Sequence, residues 1–305
     1  MNTIILAYLP FAFALAFAVL GGVTYGLPAA ALMRDQPEPQ VGRSHMLWAW
    51  ESVVLLLAAA VTAVIALYPE GFQALLPEVE ALWIVTGILI VIRTVLVVTT
   101  KITGHGSEAM RWIMAVLSLS VPVMLIQNVT VMLTGNGTLL DNWPLAAALG
   151  ILAVLATLAL WSGYYYQPGK HVREMARRSY LAAALVAAVI LPLALLMEPA
   201  VMSGRSLWSV GWQIAVAIVV GGALLMWPNR LRYFAASVVL VVGVGFSLMA
   251  ILMPYFARPA IMLLQASTNG FTQLMIAAGY VAVSLVLVPA AVLVFDWWTE
   301  RLQRA

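Results

Sequence analysis

The chain has 305 residues, 64% of them apolar and 9% charged, with 15 Lys and Arg against 12 Asp and Glu and no cysteine. A soluble domain carries about 25% charged residues, so this composition excludes a soluble enzyme or a nucleic-acid-binding module and indicates a polytopic membrane protein. The absence of cysteine excludes disulfides, thiolate metal sites and cysteine nucleophiles.

Nine apolar spans of the length a bilayer demands are expected at about 5–31, 46–68, 81–100, 110–134, 143–166, 179–198, 207–227, 231–256 and 271–297. Without water in the hydrocarbon the backbone must satisfy itself, so each span reads as a helix. The expected fold is all-α: one transmembrane domain over 1–305, with halves near 1–140 and 141–305, built as two four-helix bundles plus one extra helix.

The first span, MNTIILAYLPFAFALAFAVL, lacks a basic n-region and is longer than a signal-peptide h-region, so it is expected to stay in place uncleaved. The second and third spans each carry an ionisable residue inside the apolar run, Glu51 and Arg93, and are joined by what reads as an acidic loop. Glu51 lies about 10 Å in from Ser44, and Arg93 lies about 12 Å before Lys101, at about 1.5 Å per residue. The two spans run in opposite directions, so the two side chains fall at similar depth below one face. Such groups are costly in hydrocarbon unless paired, hydrated or used, which makes a Glu51–Arg93 pair or shared polar pocket the leading candidate site. The competing reading is a Glu favoured by its helix dipole and an Arg snorkelling to the interface. His45, a turn and a half before Glu51, is placed to feed it protons, or is an idle interfacial histidine.

In the fourth span Gln127 and Asn128 are expected to hydrogen-bond a neighbouring helix. The glycosylation patterns at Asn128 and Asn136 are discounted, the first because it lies within the membrane. The basic stretch QPGKHVREMARRSY after span five reads as a loop, with anionic lipid as its ordinary neighbour. Gly21-Gly22, Gly221-Gly222, Gly243 and Gly245 allow close helix approach, and Pro28, Pro122, Pro192 and Pro289 are expected kinks. Trp48, Trp50, Trp297 and Trp298 suit an interfacial belt. His45, His105 and His171 all fall at interfaces or loops, so neither haem nor metal is expected in this chain. There is no P-loop, dinucleotide fingerprint or nucleophile motif.

Lys and Arg set the orientation. Twelve lie in the loops after spans one, three, five and seven or in the C-terminal tail, against Arg205 and Arg258 on the other side. The N-terminus is therefore expected outside and the C-terminus in the cytoplasm, with Glu51 and Arg93 in the cytoplasmic half.

Several of these features together resemble subunit II of cytochrome bd-type quinol oxidases. The second span opens on Trp50-Glu51, where the family has Trp-Asp, and closes on Tyr68-Pro69. Arg93 followed by Lys101, the stretch from Trp112 to Gly137, and Asp141-Asn-Trp-Pro144 leading into span five also follow the family layout. The resemblance departs from the pattern at the end of span one, where GVTYGLPAAALMR replaces an Asp-Gly-Phe-Asp-like motif, and at Glu51, which is one methylene longer than the family acid.

The resemblance implies a haem-free accessory subunit of a bd-type quinol:oxygen oxidoreductase in the bacterial cytoplasmic membrane, inactive alone. It implies that Glu51 conducts protons, with Arg93 tuning or anchoring it; His45, by its position, completes the candidate conduit, and Trp50 is its structural neighbour. The implied partners are a subunit I bearing haems b and d, a single-span small subunit, and lipid or quinone between subunits. The alternative is a stand-alone secondary transporter gated by Glu51 and Arg93. The nearly pure apolar midplanes weigh against it, since carriers break their helices around polar midplane sites.

Overall fold

The computed structural model describes residues 8–32, 53–103, 108–135, 139–164, 170–198, 206–227, 229, 231–252, 255–257 and 261–262, with isolated positions between 272 and 294. The helices are α1 (Tyr8–Leu32), α2 (Val54–Leu67), α3 (Pro69–Thr103), α4 (Glu108–Thr134) and α5 (Trp143–Tyr164). They continue with α6 (Lys170–Leu185), a π-helical turn (Val186–Ile190), α7 (Leu191–Leu196), α8 (Ser206–Met226) and α9 (Arg232–Leu252). Since α6, the π turn and α7 run end to end, the described residues form eight helical rods. Six are long and apolar enough to cross a membrane, and two are shorter apolar helices. The ninth expected span, 271–297, lies outside the described residues except for isolated positions. The eighth ends at Leu252, and a short antiparallel pair follows, β1 (Tyr255–Ala257) with β2 (Ile261–Met262); of these residues only Tyr255 and Phe256 fall in the expected span.

Two stretches expected as loops are helical. The acidic stretch after Tyr68 forms the first turns of α3, a helix of 35 residues that is about 52 Å long at 1.5 Å per residue. Pro69 suits a first helical position, Glu70 complements the positive end of the dipole, and Leu75 and Val79, four apart, are both buried. The basic stretch from Lys170 begins α6. Val172, Ala176, Tyr180 and Ala183 are buried at helical spacing, and this inward stripe gives the charged sequence a reason to be a helix.

The π turn has a visible cause. Pro192 lacks an N–H and its ring crowds the carbonyl of Ala188, within that turn. The backbone widens before the proline, and the Leu191 N–H bonds the Val186 carbonyl five residues back.

Among apolar lipid tails, helices associate through close packing and hydrogen bonds. In α1, Gly22 and Gly26 are spaced as in a GxxxG motif. A Cβ at Gly22 would stand 2.5 Å from Leu160 Cδ1 of α5, and one at Gly26 would stand 2.8 Å from the Thr157 carbonyl oxygen. Gly163 of α5 is as restricted: a Cβ there would stand 2.5 Å from the Phe234 backbone nitrogen of α9. Of the expected glycines, Gly221 faces Tyr180, Gly243 faces Ala217 and Gly245 faces Leu15, while Gly222 faces open space. Helix α1 packs on α2, α4 and α5, so it joins the first four rods to the second half.

Candidate functional site

Arg93 sits on the inward stripe of α3. Val79, Thr86 and Arg93 follow at seven-residue intervals, and all are buried, whereas Ile84, Ile88, Val91 and Val95 form an exposed apolar face. The heptad spacing places Arg93 inside, at 2% exposure. The guanidinium therefore does not snorkel along the outside of the chain; it lies between α1 and α4.

There, Arg93 Nε donates to the Ser118 hydroxyl oxygen at 2.9 Å, and Nη2 donates to the Thr24 carbonyl oxygen at 3.4 Å. The Tyr25 ring covers it, with Cζ 4.3 Å from the ring centroid, a cation–π geometry. Phe17 packs against Tyr25 with centroids 6.0 Å apart. Phe17 and Tyr25 of α1, Leu56 of α2 and Val121 of α4 belong to one buried apolar cluster against which Leu89 and Ile90 of α3 pack, so α1 to α4 share an apolar core beside the cation.

Both polar partners precede a proline by four residues. Pro28 follows Thr24 and Pro122 follows Ser118, and both prolines lie within their helices. A helical proline cannot donate to the carbonyl four residues back. The Thr24 carbonyl that Arg93 meets is thus the one Pro28 leaves without its intrahelical donor. At the second break, Arg93 meets the hydroxyl of Ser118. One guanidinium, with five donors and a permanent charge, ties together two proline-interrupted helices.

A second polar chain runs along α4 toward α5. Gln127 Nε2 donates to the Ala146 carbonyl at 3.1 Å, and Gly150 leaves room for it, since a Cβ there would stand 3.4 Å from that nitrogen. Thr130 donates to Gln127 Oε1 at 3.2 Å, Thr134 to the Thr130 carbonyl at 3.0 Å, and Asn142 to Thr134 at 3.2 Å. The expected interhelix role of Gln127 is thus observed. Asn128 instead turns back on its own helix, donating to the Met124 carbonyl at 3.2 Å. Beyond the end of α7, Glu198 is buried, and desolvation raises its carboxyl above the ordinary range.

Of the expected site residues, Arg93 is placed as described, while Glu51, His45 and Trp50 lie outside the described residues. Thr24, Tyr25 and Ser118 were not anticipated. A hydroxyl residue four before a proline in spans one and four, together with the heptad at 79, 86 and 93, was the available signal.

This arrangement of helices has a solved counterpart. The fold is similar to that of a bd oxidase chain. Superposition on the bd oxidase from Geobacillus thermodenitrificans gives a TM-score of 0.73 at 15% identity, covering 98% of this chain and 99% of that chain. No protein-family model matches the sequence, and no curated relative does. At this identity the similarity to the bd oxidase chain is one of fold: the order and placement of the helices agree, while most side chains differ.

Proposed function

We propose that the chain is the haem-free accessory subunit of a bd-type quinol:oxygen oxidoreductase, stabilising the haem-bearing subunit and offering protons a cytoplasmic route to it. The carrying observation is the agreement in fold with a bd oxidase chain over nearly the full length of both. The apolar helices, six of them long enough to span, support a place in the membrane. The Lys and Arg distribution supports an inner-membrane orientation with the N-terminus outside and the C-terminus in the cytoplasm.

In this reading Glu51 is the proton carrier and His45 the group that feeds it. Arg93 cannot carry protons, because a guanidinium keeps its own. Its part is electrostatic and architectural: a fixed positive charge favours the ionised form of a nearby acid, and its bonds fix α3 against α1 and α4. The haems b and d belong to subunit I, and no haem is assigned to this chain. A single-span small subunit, and lipid or quinone between subunits, complete the proposed assembly.

The test is purification of the tagged chain from its own host. Co-purification of a larger membrane protein with haem absorbance is the expected result. A colourless chain that moves a solute across vesicles by itself would overturn the proposal in favour of a carrier. Within the complex, Glu51→Gln should cut oxygen uptake and Glu51→Asp should retain it; full turnover in Glu51→Gln would remove Glu51 from the route.

A further inference from the structure

We propose that the first turns of α6 and α4 form a docking site for the headgroup of an anionic glycerophospholipid, with the apolar turns that follow receiving its acyl chains. Residues Arg173, Arg177, Leu181 and Leu185 follow at four-residue spacing on α6, and all four are exposed. Each step advances about 6 Å along the helix and drifts about 40° around it, so the four make one nearly continuous line on the outer surface. That line is cationic for two steps and then wholly apolar. Leu181 is 51% exposed and Leu185 60%, which is an exposure suited to hydrocarbon and not to water.

Helix α4 repeats the pattern. Arg111 is exposed, followed by the exposed Trp112, Ile113 and Val116. Both helices pack on α5, and Met175 of α6 packs against a small apolar cluster formed by Ala115 of α4 and Leu158 of α5, which brings the starts of α4 and α6 near one level. Charge therefore gives way to apolar surface on both helices within about a turn, with a tryptophan at the change, as at a headgroup boundary.

The local charge is net positive. Arg173, Arg177, Arg178 and Arg111 stand against two acids, the exposed Glu108 in the first turn of α4 and Glu174, which pairs with Arg178 at 3.5 Å. A diacyl lipid with an anionic headgroup complements both the basic turns and the apolar ones below them. A protein partner would have to reproduce this same boundary at the same depth.

The test uses the full-length chain, with any subunit that co-purifies, in micelles holding equal phosphatidylglycerol and phosphatidylcholine. Retained lipid is counted by native mass spectrometry. Substituting both Arg173→Gln and Arg177→Gln should lower the preference for phosphatidylglycerol roughly ten-fold or more, at about five-fold for each cation near an anionic surface. Glu174→Gln, which removes the negative charge of α6 and frees Arg178 from its pair, should raise that preference. Phosphatidylcholine retention should not move in either. An unchanged ratio in the folded double variant overturns the proposal. So does a Glu174→Gln protein with no gain, which keeps the test decisive if the double variant does not fold. Loss of a co-purifying subunit from the double variant, with the lipid ratio intact, would assign the face to a protein instead.

Discussion

Arg93 donates to the carbonyl of Thr24, the carbonyl that Pro28 cannot serve. This relationship makes Arg93 and Pro28 energetically dependent on one another although they lie on different helices. Removing the guanidinium strands a buried acceptor, at about 1–3 kcal/mol for each polar group left without a partner. Arg93→Leu should therefore lower thermal stability in detergent. In a Pro28→Ala background, where residue 28 regains an N–H, the same substitution should cost about 1 kcal/mol less. A double-mutant cycle showing no coupling would contradict the arrangement.

Close approach and open space give opposite predictions for two glycines. Gly163→Ala drives a methyl into the Phe234 backbone and should destabilise by about 1–3 kcal/mol. Gly222→Ala meets nothing within 4 Å and should be neutral or stabilising by up to about 1 kcal/mol, the ordinary helical preference. Thermal melts of both variants would check the contrast.

Gln127 joins α4 to α5, and its Oε1 accepts from Thr130. Gln127→Leu removes the interhelix bond and one acceptor of the polar chain. We expect a loss of about 1 kcal/mol, in the range of hydrogen bonds between membrane helices. Asn128→Leu should disturb helix pairing less, because the Asn128 amide bonds its own helix. Comparison of melting midpoints would decide.

Glu198 supplies a pH dependence. Burial raises its carboxyl, so the folded protein keeps this proton to higher pH than the unfolded chain does. Its favourable contribution is complete below the unfolded value and is lost as pH rises through the folded one. Stability should therefore fall with rising pH across that window, and Glu198→Gln should flatten the fall. Melting temperatures measured from acid to neutral pH in both proteins would show it.

How much was readable in advance differs from element to element. Spans one, four, five and eight begin within a few residues of α1, α4, α5 and α9, because a long apolar run in lipid has no other backbone solution. The stretches after Tyr68 and from Lys170 look like loops in the sequence because their charges mask an inward stripe: Leu75 and Val79 in one, Val172, Ala176 and Tyr180 in the other. Charge alone does not end a helix that projects beyond the hydrocarbon. Arg93 was singled out by its cost in an apolar span, but neither of its observed hydrogen-bond partners was named.

The sequence by itself determined a membrane-embedded helical chain, the few polar groups left within it, and the prolines that would interrupt its helices. Those follow from composition and from the rule that a backbone in hydrocarbon must bond to itself. Only the tertiary structure decided what the polar groups meet: Thr24 and Ser118 stand 69 and 25 positions from Arg93 along the chain. Their meeting depends on which faces of α1, α3 and α4 turn inward, and glycine contacts such as Gly26 on Thr157 help set this by allowing α1 close to α5. Packing of that kind depends on shape matched across helices, which an apolar span viewed alone does not carry.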